Sequence, residues 1–447
     1  MGQRFLTFVK TFKHHFRSYR HDVSDKAQQY LCGLMQGGGR KNMLHMAEVV
    51  PDANSRNLQQ FLTHSQWSAR AVLDQVALEV NALLGDPAQA CLNLDESGFA
   101  KQGKKSVGVS RQWLGRLGKV DNGQVAVYGV LCQGRRAAMV DTRLYLPKAW
   151  TDDPQRCREA GVPEKEIVFR TKDELAVEII LHARELGLKF GWVGADAGYG
   201  KSPALFYQLG DLGETFYINV ASDFSVYLAD PRPQAQRQRG HGPEVRYATS
   251  QKAVAVDSLP ALKEPGAWQP VTGRNTTRGK LELRAWRQVV YVWDGHSAHA
   301  RRLTLVVTEN RDGTDRKYTV TNAPEATPLE RMVFCQRQRY WIERTFEDAK
   351  GECGMADYQV QKWSGWQHHM ALVMMALLFM LQERLEQKKE YPMLSCADIE
   401  KLLARFLPQQ DLDESEVIRQ VEAMHRLRQK AKRSHARCAK RRAKAAG

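Results

Sequence analysis

The chain has 447 residues with 43% apolar and 26% charged side chains, an ordinary globular balance with room for roughly two to four domains. Its net charge of +16 and pI near 9.5 are not ordinary and point to a polyanion, nucleic acid before an anionic membrane surface. The longest apolar run, Met370 to Leu381, is too short to span a bilayer, no signal-type segment opens the chain, and eight cysteines without a C-x-x-C pair argue against zinc or disulfides, so a protein of the reducing cytoplasm is expected and a membrane partner is not.

Residues 1–86 read as a helical DNA-binding domain. Apolar pieces at Tyr30 to Met35, Met43 to Val50, Asn57 to Leu62 and Trp67 to Leu84 are separated by basic turns such as Gly37 to Lys41. The bland alternative is a helical cap on the core. Periodicity places no helix-turn-helix, so no base-reading residue is assigned.

A short apolar run, Ala90 to Leu94, reads as a buried strand that stops at Asp95 and Glu96 and turns at Ser97-Gly98. Open α/β sheets place their sites at such carboxyl ends. The glycine-rich stretch Lys101 to Lys119 interleaves Arg111, Trp113 and Arg116, which suits DNA backbone contact and stacking and equally suits a surface hairpin. Gln124 to Cys132 and Ala137 to Leu146 are the second and third strands. Thr171 with Glu174 forms a capping box before a helix to about Leu186. A fourth strand ends at Asp196, a glycine loop follows, and Ser202-Pro203 opens a helix with Ser as N-cap. Glu214 to Val220 is the fifth strand. The catalytic core thus spans 87–225 and resumes at 329–390.

Between these parts, 226–328 reads as a β-rich insertion. Arg232 to Gly242 is a loop, and Val271 to Thr276, Lys280 to Trp293, Leu303 to Glu309 and Lys317 to Thr321 are strands. Trp286 and Trp293 either stack on an extruded base or belong to the core. Arg337 to Gly351 is a polar helix. At 100° per residue Glu343 lies about 40° and Lys350 about 20° from Arg339, so the three share a face. His368 and His369 point to different sides of a helix and read as structural. Residues 391–447 form a helical basic region whose tail, His425 to Lys444, would bind polyphosphate without sequence preference.

Asp95, Asp196 and Glu343 together suggest a metal site. Oxygen donors suit Mg²⁺ or Mn²⁺, and two such ions roughly 4 Å apart suit phosphodiester chemistry. Arg339 would hold phosphate by its fork and Lys350 as a point charge.

Four stretches carry a resemblance: Leu94 to Gly103, Ser106 to Gly115, Gly194 to Gly200 and Trp341 to Gly351. On these the chain resembles the Asp-Asp-Glu insertion-sequence transposases, most of all the insertion-sequence family numbered 701. The resemblance implies an RNase H-like α/β fold, a mixed five-stranded sheet with helices interrupted by the β-rich insertion. It implies Asp95, Asp196 and Glu343 as the metal-binding triad, and double-stranded DNA, transposon end and target, as partner to a homodimer. The implied reaction is metal-dependent cleavage at the ends and transfer of the freed 3′-hydroxyl into target DNA, with no covalent enzyme–DNA intermediate. The family signature on the third helix is Tyr, Arg, Glu and Lys. Arg339, Glu343 and Lys350 match it, and Gln336 stands at the Tyr position.

An ATPase phosphate loop at Gly200-Lys201-Ser202 fails because Ala195 stands where the motif needs glycine. A glycosidase would use two carboxylates but leaves the basic excess unexplained. The remaining alternatives are a nuclease that does not transpose and a non-catalytic DNA-binding protein descended from a transposase.

Overall fold

The structure, a computed structural model, describes all residues except 18–20, 37–38, 237–245, 260–261, 263, 277–278, 412 and 447. Part of the basic turn at Gly37 and of the loop read over Arg232 to Gly242 therefore lies outside the described residues.

Five helices open the chain: α1 (Gly2–Thr11), α2 (Ser24–Met35), α3 (Met43–Val49), α4 (Ser55–Thr63) and α5 (Ala69–Leu84). Asn42, Asn54 and Ser68 cap the last three by accepting from first-turn backbone N–H groups. Strands β1 (Asp86–Ala100), β2 (Ser110–Leu114), β3 (Lys119–Gln133) and β4 (Arg136–Leu144) follow. Short helices α6 (Lys148–Thr151) and α7 (Pro154–Glu159) lead to α8 (Lys172–Glu185), β5 (Phe190–Ala195), α9 (Pro203–Asp211) and β6 (Phe216–Val220). The capping box on α8 is formed, with Thr171 Oγ1 accepting from the Glu174 N–H at 3.2 Å and the Glu174 carboxylate accepting from the Thr171 N–H at 2.6 Å. Ser202 holds the N-cap position of α9, but its side chain makes no capping bond.

Four short strands, β7 (Ser225–Val226), β8 (Gln234–Gln236), β9 (Arg246–Ala248) and β10 (Val254–Ala255), form two small ladders. Then come β11 (Gln269–Thr276), β12 (Gly279–Val292), β13 (Arg301–Asn310) and β14 (Lys317–Thr321). The chain ends with α10 (Leu329–Arg337), α11 (Tyr340–Glu352), α12 (Trp363–Glu386), α13 (Cys396–Phe406) and α14 (Glu414–Ala446).

The main sheet is mixed. Strands β1, β5 and β6 run parallel, β3 pairs antiparallel with the other edge of β1, and β4 and β2 pair with β3. This sheet has ten strands where five are expected from sequence. One of the five extra strands is β2, on β3, and the other four come from the β-rich segment: β14 pairs antiparallel with β6, and β13, β12 and β11 continue outward from it. Pairing on β6 satisfies backbone groups that a bare edge would expose.

The expected turn at Ser97-Gly98 is also absent. β1 continues to Ala100, because Glu96 to Ala100 stay paired with β3 from Val127 to Gly123. Gly98 serves packing here. A Cβ on it would lie 2.7 Å from Leu114 Cδ2.

Helix α12 is apolar on all sides, and a helix of that kind is buried. It lies against β4 and against the amino-terminal helices. Phe5 and Phe8 pack on Phe379 with ring centroids 5.0 and 5.5 Å apart. Trp67 stacks on His368 at 3.9 Å, and the Tyr30 hydroxyl meets His369 Nδ1 at 2.9 Å. Both histidines are buried core residues. Trp286 is buried in the sheet, which removes it as a base-stacking platform. Trp293 is half-buried and donates its indole N–H to the Ser297 carbonyl. All eight cysteines are free. Among the described residues no helix is long and apolar enough to cross a membrane.

Candidate active site

In the parallel pair β1/β5, Leu94 is matched with Ala195. Asp95 and Asp196 are the next residues along the chain from these two, so they are neighbours where the parallel pairing ends. The loop after Asp196 is tight. The Gly198 N–H donates to Asp196 Oδ1 at 2.8 Å, and the Tyr199 and Gly200 N–H groups donate to its carbonyl at 3.2 Å. A Cβ on Gly200 would run into the Asn219 carbonyl oxygen on β6, and backbone cannot swing aside as a side chain does. Gly200→Ala should therefore displace the Asp196 loop and cost about 1–3 kcal/mol, the range for overpacking. Thermal unfolding together with cleavage rate would check this. A stable variant with wild-type cleavage would show that the loop does not set the Asp196 position.

Helix α11 supplies the facing side. Arg339 bridges the two elements, with Nη1 3.4 Å from Asp95 Oδ2 and Nη2 in contact with Glu343 Oε1. Burial first and Asp196 second push the Asp95 carboxyl up to about 7, against the pull of Arg339. Burial and Arg116 lower the Lys350 ammonium, and Asp95 opposes them. The Lys350 Nζ stands over the rings of Phe99 and Phe346 at 5.7 and 5.8 Å.

These groups open on a cleft of about 740 Å³ lined by Asp95, Asp196, Glu343, Lys350, Trp113 and Arg116, among others. Trp113 and Arg116 are exposed on the β2 hairpin, which suits contact with a strand in the cleft. Arg111 lies outside the cleft lining and turns back on the hairpin, where its Nη2 donates to the Val120 carbonyl at 3.5 Å. Glu347 also lines the cleft and pairs with Arg344 at 3.1 Å. Among the described residues no three His, Cys, Asp or Glu side chains converge closely enough to hold a metal ion. Asp95 and Asp196 stand near enough to repel, whereas Glu343 is half-exposed and reaches Asp95 through Arg339.

Three further residues stand beside these groups, and of them only Tyr199 lies in a stretch that the sequence singles out. Tyr199 is buried, and burial first, with Asp95, Glu96 and Asp196 behind it, raises its hydroxyl well above its ordinary range. Lys172, at the start of α8, pairs with Glu96. Lys317 opens β14 close to Glu343 and Arg339, and burial lowers its ammonium. Gln336 points away from the site, since its amide is buried between the Thr308 and Thr319 hydroxyls at 2.8 Å each.

A family model described as DDE superfamily endonuclease matches residues 8–280, more than half of the chain. The chain belongs to the DDE superfamily of endonucleases. This endonuclease is 29% identical over 361 residues to a probable transposase for insertion sequence element IS701 of Microchaete diplosiphon, covering 79% of the chain and 82% of that relative. A solved piggyBac transposase synaptic complex with hairpin DNA matches 89% of this chain and 75% of its own, at 11% identity and a TM-score of 0.38.

Proposed function

We propose that this DDE endonuclease is a DNA transposase that cuts phosphodiesters at transposon ends and joins the freed 3′-hydroxyl to target DNA. The observation that carries the proposal is the pair Asp95 and Asp196, each the residue after the last matched position of the parallel β1/β5 pair, sharing a cleft with Glu343, Arg116 and Lys350, with Arg339 joining Asp95 to Glu343. The order of the first five main strands around β1 is the RNase H-like order in this reading.

The donor set fits a hard divalent cation. Burial, and then repulsion from Asp196, hold the Asp95 carboxyl above its usual range, and a cation between the two would relieve the repulsion. Asp95 and Asp196 would hold Mg²⁺ or Mn²⁺, with Glu343 joining them once it leaves Arg339. Bound in a pair, such ions supply an activated attacking oxygen and a stabilised leaving oxygen. The chain's own residues do the rest. Arg339 and Lys350 hold phosphates beside the scissile one, Arg116 neutralises the backbone, and Trp113 gives a flat surface for a base or sugar. The amino-terminal helices within 1–86 would bind the ends, and a homodimer would pair two ends in the cytoplasm.

The basic tail, α14 from His425 onward, would add affinity for any DNA. Deleting it should weaken binding to all duplexes alike and reduce the slope of log affinity against log salt by roughly one for each phosphate no longer neutralised. An unchanged slope would reduce the tail to a solvated helix.

The proposal itself is tested by supplying a duplex carrying a candidate end with Mg²⁺ and mapping the cut phosphates. Cuts at the end with free 3′-hydroxyls that reappear joined to a second duplex are expected. Metal-dependent nicking without joining would leave a nuclease, and binding without nicking a DNA-binding protein.

A further inference from the structure

Helix α11 has two working faces. Glu343, Phe346, Glu347 and Lys350 look into the cleft, while Trp341, Arg344 and Asp348 line a separate groove of about 740 Å³. At 100° per residue these two sets are centred more than about 120° apart on the helix. The second groove runs between the β3–β4 turn and the junction of α12 with α13. It carries Arg135 and Arg136 from the turn, Arg344 from α11, and Arg384 and Lys388 from the end of α12 and just beyond it. The one acid in its lining, Asp348, is taken up by Arg344 at 2.7 Å. Among the described residues Arg135, Arg136, Arg384 and Lys388 have no carboxylate partner within ion-pair distance, and Arg384 reaches only Cys396 Sγ at 3.9 Å. Trp341 and Phe334 are half-buried in the lining, and Met393 on the α13 side is 66% exposed.

Four cations without acids are costly to gather on one face unless an anion visits it, because like charges at close range repel. Guanidinium forks match phosphate oxygens in pairs. Exposed apolar and aromatic surface between the cations suits sugar and base faces better than a bare inorganic anion. We infer that this groove binds the phosphate backbone of a DNA segment other than the one in the cleavage cleft, so that α11 lies between two DNA segments. The inference rests on the transposase reading only for the identity of the polyanion.

The test is equilibrium binding of a short mixed-sequence duplex by the full chain over a salt series in EDTA, where no cutting occurs. Arg135→Ala/Arg136→Ala/Lys388→Ala should reduce the salt slope by about three, one for each phosphate that the three cations neutralise. Arg116→Ala/Lys350→Ala should reduce the slope of the separate event that fills the cleft by about two, and the combined variant should lower the slopes summed over both events by about the total. The charge-keeping variant Arg135→Lys/Arg136→Lys/Lys388→Arg should bind with the wild-type slope, which separates charge from folding. A groove variant that titrates as the wild type overturns the inference. So does a groove variant that loses binding of a polyglutamate peptide while its DNA binding is unchanged, which would assign the face to an acidic protein. Metal-dependent nicking is read separately. A chain that never nicks but keeps the additive slopes sinks the transposase reading and leaves the groove.

Discussion

Asp95→Ala, Asp196→Ala and Glu343→Ala should each bring strand cleavage to roughly a thousandth of wild type or below, the scale of losing one preorganised electrostatic group, while DNA binding stays intact. Affinity comes mainly from phosphate neutralisation, and removing a carboxylate from a basic cleft makes it more attractive to phosphate. Stability supplies a second readout. A carboxyl whose folded pKa lies above its unfolded value costs stability once pH rises past the unfolded value, and the full cost is present above the folded one. Asp95, pushed up to about 7, therefore weakens the fold most at neutral and higher pH. Asp95→Asn should leave melting at pH 8 unchanged or raised, with cleavage lost, the usual separation of function from stability at a strained site. Glu347→Ala is the necessary control, because Glu347 lines the same cleft one helical turn on. If Glu347→Ala is dead and Glu343→Ala cuts, the third carboxylate has been misassigned. If Asp196→Ala nicks at the normal rate, the strand-end pair is not the reaction centre.

Local chemistry was legible in sequence where one residue type has one use. The Thr171/Glu174 box, the apolar run of α12 and the end of β5 just before Asp196 each reflect short-range rules. What sequence missed depends on partners far along the chain. Ser97-Gly98 has turn chemistry, yet β3 holds both residues in the ladder, and Gly98 is small because Leu114 packs where its Cβ would be. The β-rich segment reads as separate because periodicity gives strands but not their partners, and only the β14–β6 pairing makes it part of the main sheet. At the site, Arg339, Glu343 and Lys350 follow from helical spacing, but the direction of Arg339 toward Asp95 does not. Arg111 and Arg116 look alike in sequence, and hairpin geometry sends only Arg116 into the cleft.

The second large effect concerns Arg339, whose two contacts pose a specific question. It now joins Asp95 to Glu343, the charge a divalent cation would otherwise supply. If it is only a counter-ion for these acids, Arg339→Ala should bind Mn²⁺ more tightly and cut DNA at least as well, because a competitor of the metal is gone. If it also clamps phosphate, Mn²⁺ should still bind at least as tightly, but cleavage should fall by roughly 10²-fold, about the loss of one oriented charged donor. We expect the second pattern. A side chain 19% exposed between two acids of the cleft lining can turn from them to a phosphate, and the acids repel each other less once a cation neutralises them. Arg339→Lys should recover little, since an ammonium cannot present two parallel N–H groups to phosphate oxygens. Lys350→Ala should reduce cleavage less, because Lys350 acts as a point charge standing over Phe99 and Phe346. A cleavage time course run beside a Mn²⁺ titration separates these outcomes. Tighter metal with undiminished cutting in Arg339→Ala would end the clamp assignment.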